Sequence, residues 1–364
     1  MDPRIREHAE IIVNHSTDLS EGDNVVIDAA PEAEDLVVAL HELIGEIGAN
    51  PLTVTKRTGQ RAERAYLRNH DGEFELPTHE MALIEEVDVH VGIRGYGNVT
   101  ETSDVDPETN SAYGKARRPI LDERLSKRWC LTQYPTEGFA QLAEMSTEAY
   151  EDFVWDAINQ DWEAQRAHQE RMVEIMDPAE EVRIVSGGTT DLAMSVAGNH
   201  TINDFGRHNL PGGEVFTAPV PESVEGEVLF DLPLYHQGRE VTDVHLVFED
   251  GEVVEGSAGK NEEVLTEVLN TDEGARRIGE LGIGMNRDID RFTYNMLFDE
   301  KMGDTVHMAV GRAYDETVGE GNEANQSAVH VDMIVDMAEE SRIEVDGEVV
   351  QRNGTFVFEE GFEK

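Results

Sequence analysis

Two apolar segments near the C-terminal end of the chain, TVHMAVGRAY and SAVHVDMIV, carry imidazole and carboxylate side chains at strand spacing. Residues two positions apart on a β-strand point to the same side of the sheet. His330 and Asp332 therefore share one face of the second predicted strand, and His307 faces away from the apolar side of the first. An imidazole and a carboxylate so placed can bind one metal ion. The alternative is that all three are ordinary polar residues on solvated strand faces.

Glutamates also interrupt two apolar, glycine-containing segments that lie earlier in the sequence. Glu214 lies in NLPGGEVFTAPV, and Glu280 lies in RRIGELGIGMN. A carboxylate is costly to bury among apolar residues unless a cation compensates its charge. Taken singly, each glutamate is more simply explained as a surface residue, because acidic residues are abundant in this chain.

Together, the five residues form a mixed set of two imidazoles and three carboxylates. Zn²⁺, Co²⁺ and Mn²⁺ accept such nitrogen and oxygen ligands. The set is large enough to hold two ions that share a carboxylate. Two such ions generate a strong nucleophile from water near neutral pH, polarise a carbonyl and orient a substrate. The combination predicts hydrolytic chemistry.

The elements that must position these residues change in type along the chain. In the first half, the buried strand NVVIDA, an amphipathic helix in PEAEDLVVALHELIGEIGA and the strand LTVTK form one unit. Such units build parallel sheets. We predict one long helix, beginning with a Ser146 or Thr147 cap, for the segment MSTEAYEDFVWDAINQDWEAQRAHQERMVEIM. We predict a polar loop for the segment GYGNVTETSDVDPETNSAYGKAR. We predict an α/β N-terminal domain with a parallel sheet over residues 1–180.

From VRIVS onward, short strands and glycine-containing turns replace this alternation. We predict that residues 181–364 form a strand-rich α+β catalytic domain, which contains all five candidate ligands. A chain of 364 residues favours two domains, because single hydrophobic cores usually stop growing at about 250–300 residues.

The composition restricts the partners and the compartment. The chain has 77 acidic and 29 basic residues, a net charge of −48, and only six lysines. Neither nucleic acid nor an anionic membrane is expected as a partner, because both require clustered Lys and Arg. An acidic, lysine-poor surface is typical of proteins that work in molar salt, so we expect a halophilic source. Cys130 is the only cysteine and the N-terminus does not resemble a signal peptide, so the expected location is cytoplasmic.

Four segments that carry the candidate ligands resemble a known family when they are taken in order. They are similar to signature segments of the thermophilic-type metalloaminopeptidases, the aminopeptidase T family (peptidase family M29). The four segments are GGEVFTAP, IGELGIG, HMAVGRAY and SAVHVDMI. The opening LSEGDNVVIDA and the segment QYPTEGFAQLAEMSTEAYEDF also look like this family, so the resemblance covers essentially the whole chain. It implies a homodimeric, metal-dependent aminopeptidase that removes N-terminal residues from short peptides.

The resemblance also implies roles for individual residues. It implies two divalent metal ions per chain (Zn, Co or Mn), with the ligands Glu214, Glu280, His307, His330 and Asp332. Glu280 is the residue that we expect to bridge the two ions and to be essential for catalysis. Tyr314, seven residues after His307, matches the active-site tyrosine of the family, whose hydroxyl can donate a hydrogen bond to a tetrahedral oxyanion.

Two other functions use part of the same site. Ring-cleaving dioxygenases related to this family hold one non-haem Fe(II) with two histidines and an aspartate, for which His307, His330 and Asp332 suffice. The presence of Glu214 and Glu280 favours the peptidase, because a single iron does not need them. A non-catalytic metal-binding protein is the third alternative.

Overall fold

The computed structural model of the protein describes residues 2–363, and the chain folds into two units. Unit 1 comprises the residues up to Asp161 together with Gly206–Gly212, and unit 2 comprises Trp162–Phe205 and the residues from Gly213 onward. This division differs from the predicted boundary between residues 180 and 181. The reason is that Met172 and Met176, which precede that boundary, are buried in the core of unit 2.

The helices and strands are numbered here in chain order. The helices are α1 (Pro3–Ile11), α2 (Glu34–Ile47), α3 (Arg61–Leu67), α4 (Thr78–Glu85), α5 (Pro107–Leu125), α6 (Glu137–Leu142), α7 (Thr147–Ile158), α8 (Trp162–Met176), α9 (Glu262–Leu269) and α10 (Met296–Asp299). The strands are β1 (Asn24–Ala29), β2 (Asn50–Thr55), β3 (Val89–Arg94), β4 (Arg128–Gln133), β5 (Glu181–Ser186), β6 (Thr190–Ser195), β7 (Ile202–Asp204), β8 (Asn209–Leu210), β9 (Glu214–Thr217), β10 (Glu225–Phe230), β11 (Leu234–His236), β12 (Arg239–Val241), β13 (Val244–Glu249), β14 (Glu252–Ser257), β15 (Ile278–Gly284), β16 (Thr305–Gly311), β17 (His330–Asp336), β18 (Ser341–Val345), β19 (Glu348–Arg352) and β20 (Thr355–Phe356). Within residues 2–363, no helix combines the length and the apolar character that crossing a bilayer requires.

Unit 1 is built on a parallel sheet with the strand order β2-β1-β3-β4-β8. Strand β1 is buried along most of its length, a pattern typical of parallel sheets that are covered on both faces. Helix α2 buries Leu36, Leu40 and Ile44 on one stripe and ends at Gly48, whose φ of 87° is the left-handed conformation that glycine adopts without strain. The predicted α/β domain with a parallel sheet is confirmed.

Unit 2 contains two antiparallel sheets and a two-stranded ribbon, β11-β12. The larger sheet has the order β14-β13-β10-β6-β5-β18-β19-β20, and the other, which we call the site sheet, has the order β17-β16-β15-β9-β7. The hydrophobic core combines alternate residues of both sheets, such as Ile184 of β5 and Val306 and Met308 of β16. The predicted strand-rich α+β architecture is confirmed.

Two predictions about helices need correction. The predicted long helix is two helices, because Asn159 leaves the helical conformation after α7 and its side-chain amide donates to the carbonyl oxygen of Arg4 at 3.0 Å. The Ser146 cap is present, with its hydroxyl oxygen accepting from the Ala149 amide. The predicted polar loop becomes helical at Pro107, because the Asp106 carboxylate caps α5 and proline suits the first helical position.

Candidate metal centre

The register of the site sheet places four of the predicted residues on one face. Glu280 of β15 and Asp332 of β17 both pair with Ala309 of β16, and directly paired residues of antiparallel strands point to the same side. His307 lies two positions before Ala309 and His330 two positions before Asp332, so both imidazoles join that side. Every residue of β16 is buried, so this face is not the solvated strand face that the simpler alternative requires.

Strand β9 adds Glu214 to the same face, and two glycines of β15 leave room for the His307 ring and for a neighbouring backbone segment. Glu214 pairs with Gly284, and His307 pairs with Gly282. A Cβ atom on Gly282 would lie 2.0 Å from Nε2 of His307, and one on Gly284 would lie 2.1 Å from the carbonyl oxygen of Met302. The sequence IGELGIG therefore supplies one carboxylate and then two positions at which no side chain fits.

The five side chains form two groups of potential metal ligands, and Glu280 belongs to both. In the first, Nε2 of His307 lies 3.1 Å from Oε2 of Glu214 and 3.3 Å from Oε1 of Glu280. In the second, Nε2 of His330 lies 3.5 Å from Oδ1 of Asp332 and 3.8 Å from Oε2 of Glu280. Within each group, the ligand atoms all lie within 4.8 Å of one another.

Contacts behind the ligands hold two of them in position. Nδ1 of His330 lies 2.8 Å from the carbonyl oxygen of Arg312, which can only accept, so Nδ1 carries the proton in the neutral imidazole. This leaves Nε2 with a lone pair toward the centre, as in metal-ligating histidines generally. The buried amide of Gln169 on α8 donates to the carbonyl oxygens of Glu214, at 2.7 Å, and of Asp204, at 3.0 Å, and so fixes the start of β9.

Burial and neighbouring charges shift the pKa values of the glutamates in opposite directions. Burial raises the pKa of Glu280, and the hydrogen bond from His307 offsets only part of that rise. Burial also opposes ionisation of Glu214, but the ammonium of Lys301 and the imidazole of His307 outweigh it and lower the pKa. Glu214 is therefore held as a carboxylate by its cationic neighbours.

The histidines respond to the same carboxylates. Burial alone would lower the pKa of His330, but Asp332 raises it to about 9. The pKa of Asp332 falls to about 2 because the His330 imidazole outweighs the effect of burial. Glu214 likewise raises the pKa of His307 well above its usual value, against the effect of burial. The carboxylates thus attract positive charge, which protons or metal ions can supply.

The donor atoms fit divalent cations. Oε2 of Glu214, Oε2 of Glu280 and Oδ1 of Asp332 are buried and accept no well-aligned hydrogen bond from the described part of the chain. Buried carboxylate oxygens without donors are costly, and a cation removes that cost. A set of imidazole nitrogens and carboxylate oxygens is one that Zn²⁺, Co²⁺ and Mn²⁺ accept.

Tyr314 lies beside the second ligand group. Its ring centroid is 5.0 Å from that of His330 and 6.0 Å from that of Phe216. Burial, together with the carboxylates of Glu280 and Asp332, raises the pKa of Tyr314 well above its usual value. The hydroxyl group therefore keeps its proton and can donate a hydrogen bond.

Sequence reasoning missed one residue of this region, Lys301. Its side chain is fully buried, and Nζ lies 3.1 Å from Oε1 of Glu214 and also contacts the carboxylate of Glu300. Lys301 follows no strand or helix periodicity, since it lies in the short loop between α10 and β16. The one available signal was its presence near the ligand segments of a chain that has only six lysines.

The whole sequence is similar to the family described as thermophilic metalloprotease (M29), whose family model matches residues 1–362. The chain belongs to this family. The predicted family is therefore confirmed, and M29 membership implies the use of divalent metal ions, for which the two ligand groups are candidates.

Named relatives extend over nearly the whole chain. Aminopeptidase T of Thermus thermophilus is 30% identical over 93% of both chains, and Aminopeptidase 2 of Geobacillus stearothermophilus is 26% identical over 98% of both. Among solved structures, wild-type AmpT from Thermus thermophilus has a TM-score of 0.84 at 26% identity and covers 98% of this chain and 99% of its own. The M29 protein described here is thus a metal-dependent aminopeptidase, a hydrolase.

A second solved structure shares the fold. The 2,5-dihydroxypyridine dioxygenase from Pseudomonas putida has a TM-score of 0.60 at 13% identity and covers 98% of this chain and 97% of its own. At that identity, the similarity concerns the fold alone.

Proposed function

We propose that this M29 protein removes N-terminal residues from short peptides with two divalent metal ions that share Glu280. The position of the Glu280 carboxylate is the observation that carries the proposal. Its Oε1 lies 3.3 Å from Nε2 of His307, and its Oε2 lies 3.8 Å from Nε2 of His330. The two oxygens of one side chain therefore face the two ligand groups, which would let this carboxylate contact both ions.

The ligands divide between the ions according to these groups. Glu214 and His307 would hold one ion, His330 and Asp332 would hold the other, and Glu280 would contact both. When bound, two such ions acidify a water molecule and polarise a carbonyl group. The mixed nitrogen and oxygen ligands favour Zn²⁺, Co²⁺ or Mn²⁺ as the native metal.

The chain itself contributes orientation and hydrogen bonding. Tyr314 would donate its O–H to the oxyanion that forms as the peptide carbonyl becomes tetrahedral, because the hydroxyl is protonated and its ring packs against His330. The carbonyl oxygen of Arg312 holds the His330 ring in one tautomer. These groups are in place before a substrate binds, which is how preorganised sites lower activation barriers.

A single-iron dioxygenase would leave two buried acids without a role. It needs His307, His330 and Asp332, whereas Glu214 and Glu280 also lie within 3.3 Å of Nε2 of His307 and are both buried. Lys301 pairs with Oε1 of Glu214, but Oε2 of Glu214 and Oε2 of Glu280 are buried and accept no well-aligned hydrogen bond from residues 2–363. A second cation would remove the cost of burying these oxygens, so their position supports two ions.

The proposal also covers the cellular compartment and the oligomeric state of the enzyme. The net charge of −48 and the scarcity of lysine support a protein that works in the cytoplasm of a halophilic cell. The resemblance to the aminopeptidase T family supports a homodimer, which light scattering after size-exclusion chromatography in high salt will test. A monomer at micromolar concentration would contradict this part.

The substitution Glu280→Gln tests the function directly. Glutamine keeps the size of the side chain and an acceptor for His307, but it cannot bridge two ions as a carboxylate does. We expect leucine release from a leucyl dipeptide, measured in high salt with Co²⁺ or Mn²⁺, to fall by more than the about 10- to 100-fold that loss of an outer-shell partner costs. The circular dichroism spectrum should remain that of the native protein.

A matched control is Glu267→Gln, which changes an exposed glutamate on α9. This variant should keep the activity of the native protein. Undiminished leucine release by Glu280→Gln would show that the dinuclear assignment is wrong.

A further inference from the structure

Lys301 is buried to an unusual degree for a lysine. Among the lysines of residues 2–363, it alone is buried, with no exposed side-chain surface. A buried ammonium is retained when carboxylates pair with it. Its partners are Glu214, whose Oε1 lies 3.1 Å from Nζ, and Glu300.

The loop that carries Lys301 is built around a buried aspartate. The carboxylate of Asp299 accepts hydrogen bonds from the Thr293 amide at 2.8 Å, from the Thr293 hydroxyl at 2.7 Å and from the Asn295 amide at 2.7 Å. The amide of Asn286, just after β15, donates to the carbonyl oxygen of Lys301 at 2.8 Å. The Asp299 carboxylate therefore holds the segment that precedes Lys301, and the backbone of Lys301 is tied to the end of β15 in the site sheet.

The absence of a side chain at Gly284 lets this backbone approach. A Cβ atom there would lie 2.9 Å from the carbonyl carbon of Lys301. Gly284 is also the residue that pairs with Glu214 across the sheet. Lys301 is thus brought alongside the one candidate ligand with which its ammonium pairs.

The two oxygens of Glu214 have different neighbours. Oε1 contacts the ammonium of Lys301, whereas Oε2 lies 3.1 Å from Nε2 of His307 and accepts no well-aligned hydrogen bond from residues 2–363. We infer that Lys301 is a positioning residue, whose ammonium holds Oε1 of Glu214 so that Oε2 is presented to a divalent cation beside His307. This inference rests on the proposed function.

The charge of Lys301 and its hydrogen bond to Glu214 are expected to affect metal binding in opposite directions. An ammonium close to the centre repels a divalent cation, so removal of its charge alone would strengthen metal binding. Removal of its hydrogen bond frees the carboxylate of Glu214 to rotate, which would weaken metal binding. The sign of the change in affinity therefore separates the two effects.

The test compares Zn²⁺ binding by chelator-treated wild-type protein with that of Lys301→Met and Lys301→Gln, by competition with a chromophoric chelator. We expect Lys301→Met to bind Zn²⁺ about 10- to 100-fold more weakly, the range typical for loss of an outer-shell partner. Lys301→Gln should bind more tightly than Lys301→Met, because its amide can donate to Glu214 without a charge. The control Lys260→Met removes an exposed lysine that pairs with Glu240, and it should bind as the wild type does.

The outcomes separate this inference from the proposed function. Wild-type protein that binds no Zn²⁺ would overturn the proposed function, and the inference with it. Wild-type binding with equal or tighter binding by Lys301→Met would overturn the inference alone. If the variants do not fold, a crystal structure of Zn²⁺-loaded wild-type protein decides: Lys301 bonded to Oε1 of Glu214 with Oε2 on an ion supports the inference, and any other arrangement of Glu214 overturns it.

Discussion

At the scale of single residues, the candidate centre depends on one position that has no side chain. Gly282 pairs with His307, and a Cβ atom there would lie 2.0 Å from Nε2 and 2.1 Å from Cε1 of the imidazole. Non-bonded atoms do not approach so closely. Gly282 and His307 both lie in strands that are buried along their whole length. The absence of a side chain at Gly282 therefore leaves the space that the His307 ring occupies.

We predict that Gly282→Ala displaces the His307 ring and weakens Zn²⁺ binding by about 10-fold or more, by analogy with outer-shell substitutions. Overpacking should also destabilise the protein by about 1–3 kcal/mol. Chelator competition and thermal unfolding measure the two effects. The control is Gly188→Ala, since a Cβ at that exposed position would meet no atom within 4 Å. Native Zn²⁺ affinity in Gly282→Ala would disprove this role of Gly282.

The sequence indicated the candidate residues to different extents. His330 and Asp332 were found from strand alternation, and the sheet register does place them on one face. Glu214 and Glu280 were singled out because they lie in apolar segments, and both are buried. Lys301 could not be found in this way, because its partner Glu214 lies 87 positions away and only the folded sheet brings the two together.

At the scale of elements, predictions succeeded where the structure follows the apolar period of the sequence and failed where the two differ. The strands β1, β16 and β17 follow apolar patterns that local sequence reveals. The helical spacing of apolar residues continues across residues 159–161, so the sequence does not reveal the break between α7 and α8. The break occurs at Asn159, whose side-chain amide donates a hydrogen bond to the carbonyl oxygen of Arg4. Helix α5 was missed because it is polar and begins inside a turn-rich segment.

The boundary between the units depends on tertiary packing that the composition does not show. Helix α8 follows α7 closely in the sequence, yet its Gln169 hydrogen-bonds the backbone of β7 and β9, and its Met172 lies in the core of unit 2. The change from helices to strands in the sequence falls after this helix. A boundary placed by the change in composition therefore differs from the division into these two units.

At the scale of the whole molecule, charge is the dominant feature. The 77 acidic residues are distributed along the whole sequence and exceed the 29 basic residues by far. Mutual repulsion at this net charge destabilises the compact state, and salt screens it. The stability of the protein should therefore depend on ionic strength more than that of an ordinary globular protein.

We predict that raising KCl from about 0.15 M to about 1 M, which shortens the screening length from about 8 Å to about 3 Å, raises the unfolding temperature of the metal-stripped protein. Metal-stripped protein is used so that changes in metal affinity do not contribute. A globular protein of similar size and small net charge serves as the control for effects of KCl unrelated to net charge. An unfolding temperature that stays constant or falls would contradict a halophilic adaptation.

Two ions joined by Glu280 are the centre of the proposed chemistry, and anomalous diffraction from crystals grown with Zn²⁺ tests them most directly. We predict two anomalous peaks per chain, one in contact with Glu214 and His307 and the other in contact with His330 and Asp332, with Glu280 touching both. A single peak, or two peaks of which one lies away from Glu280, would contradict the dinuclear centre.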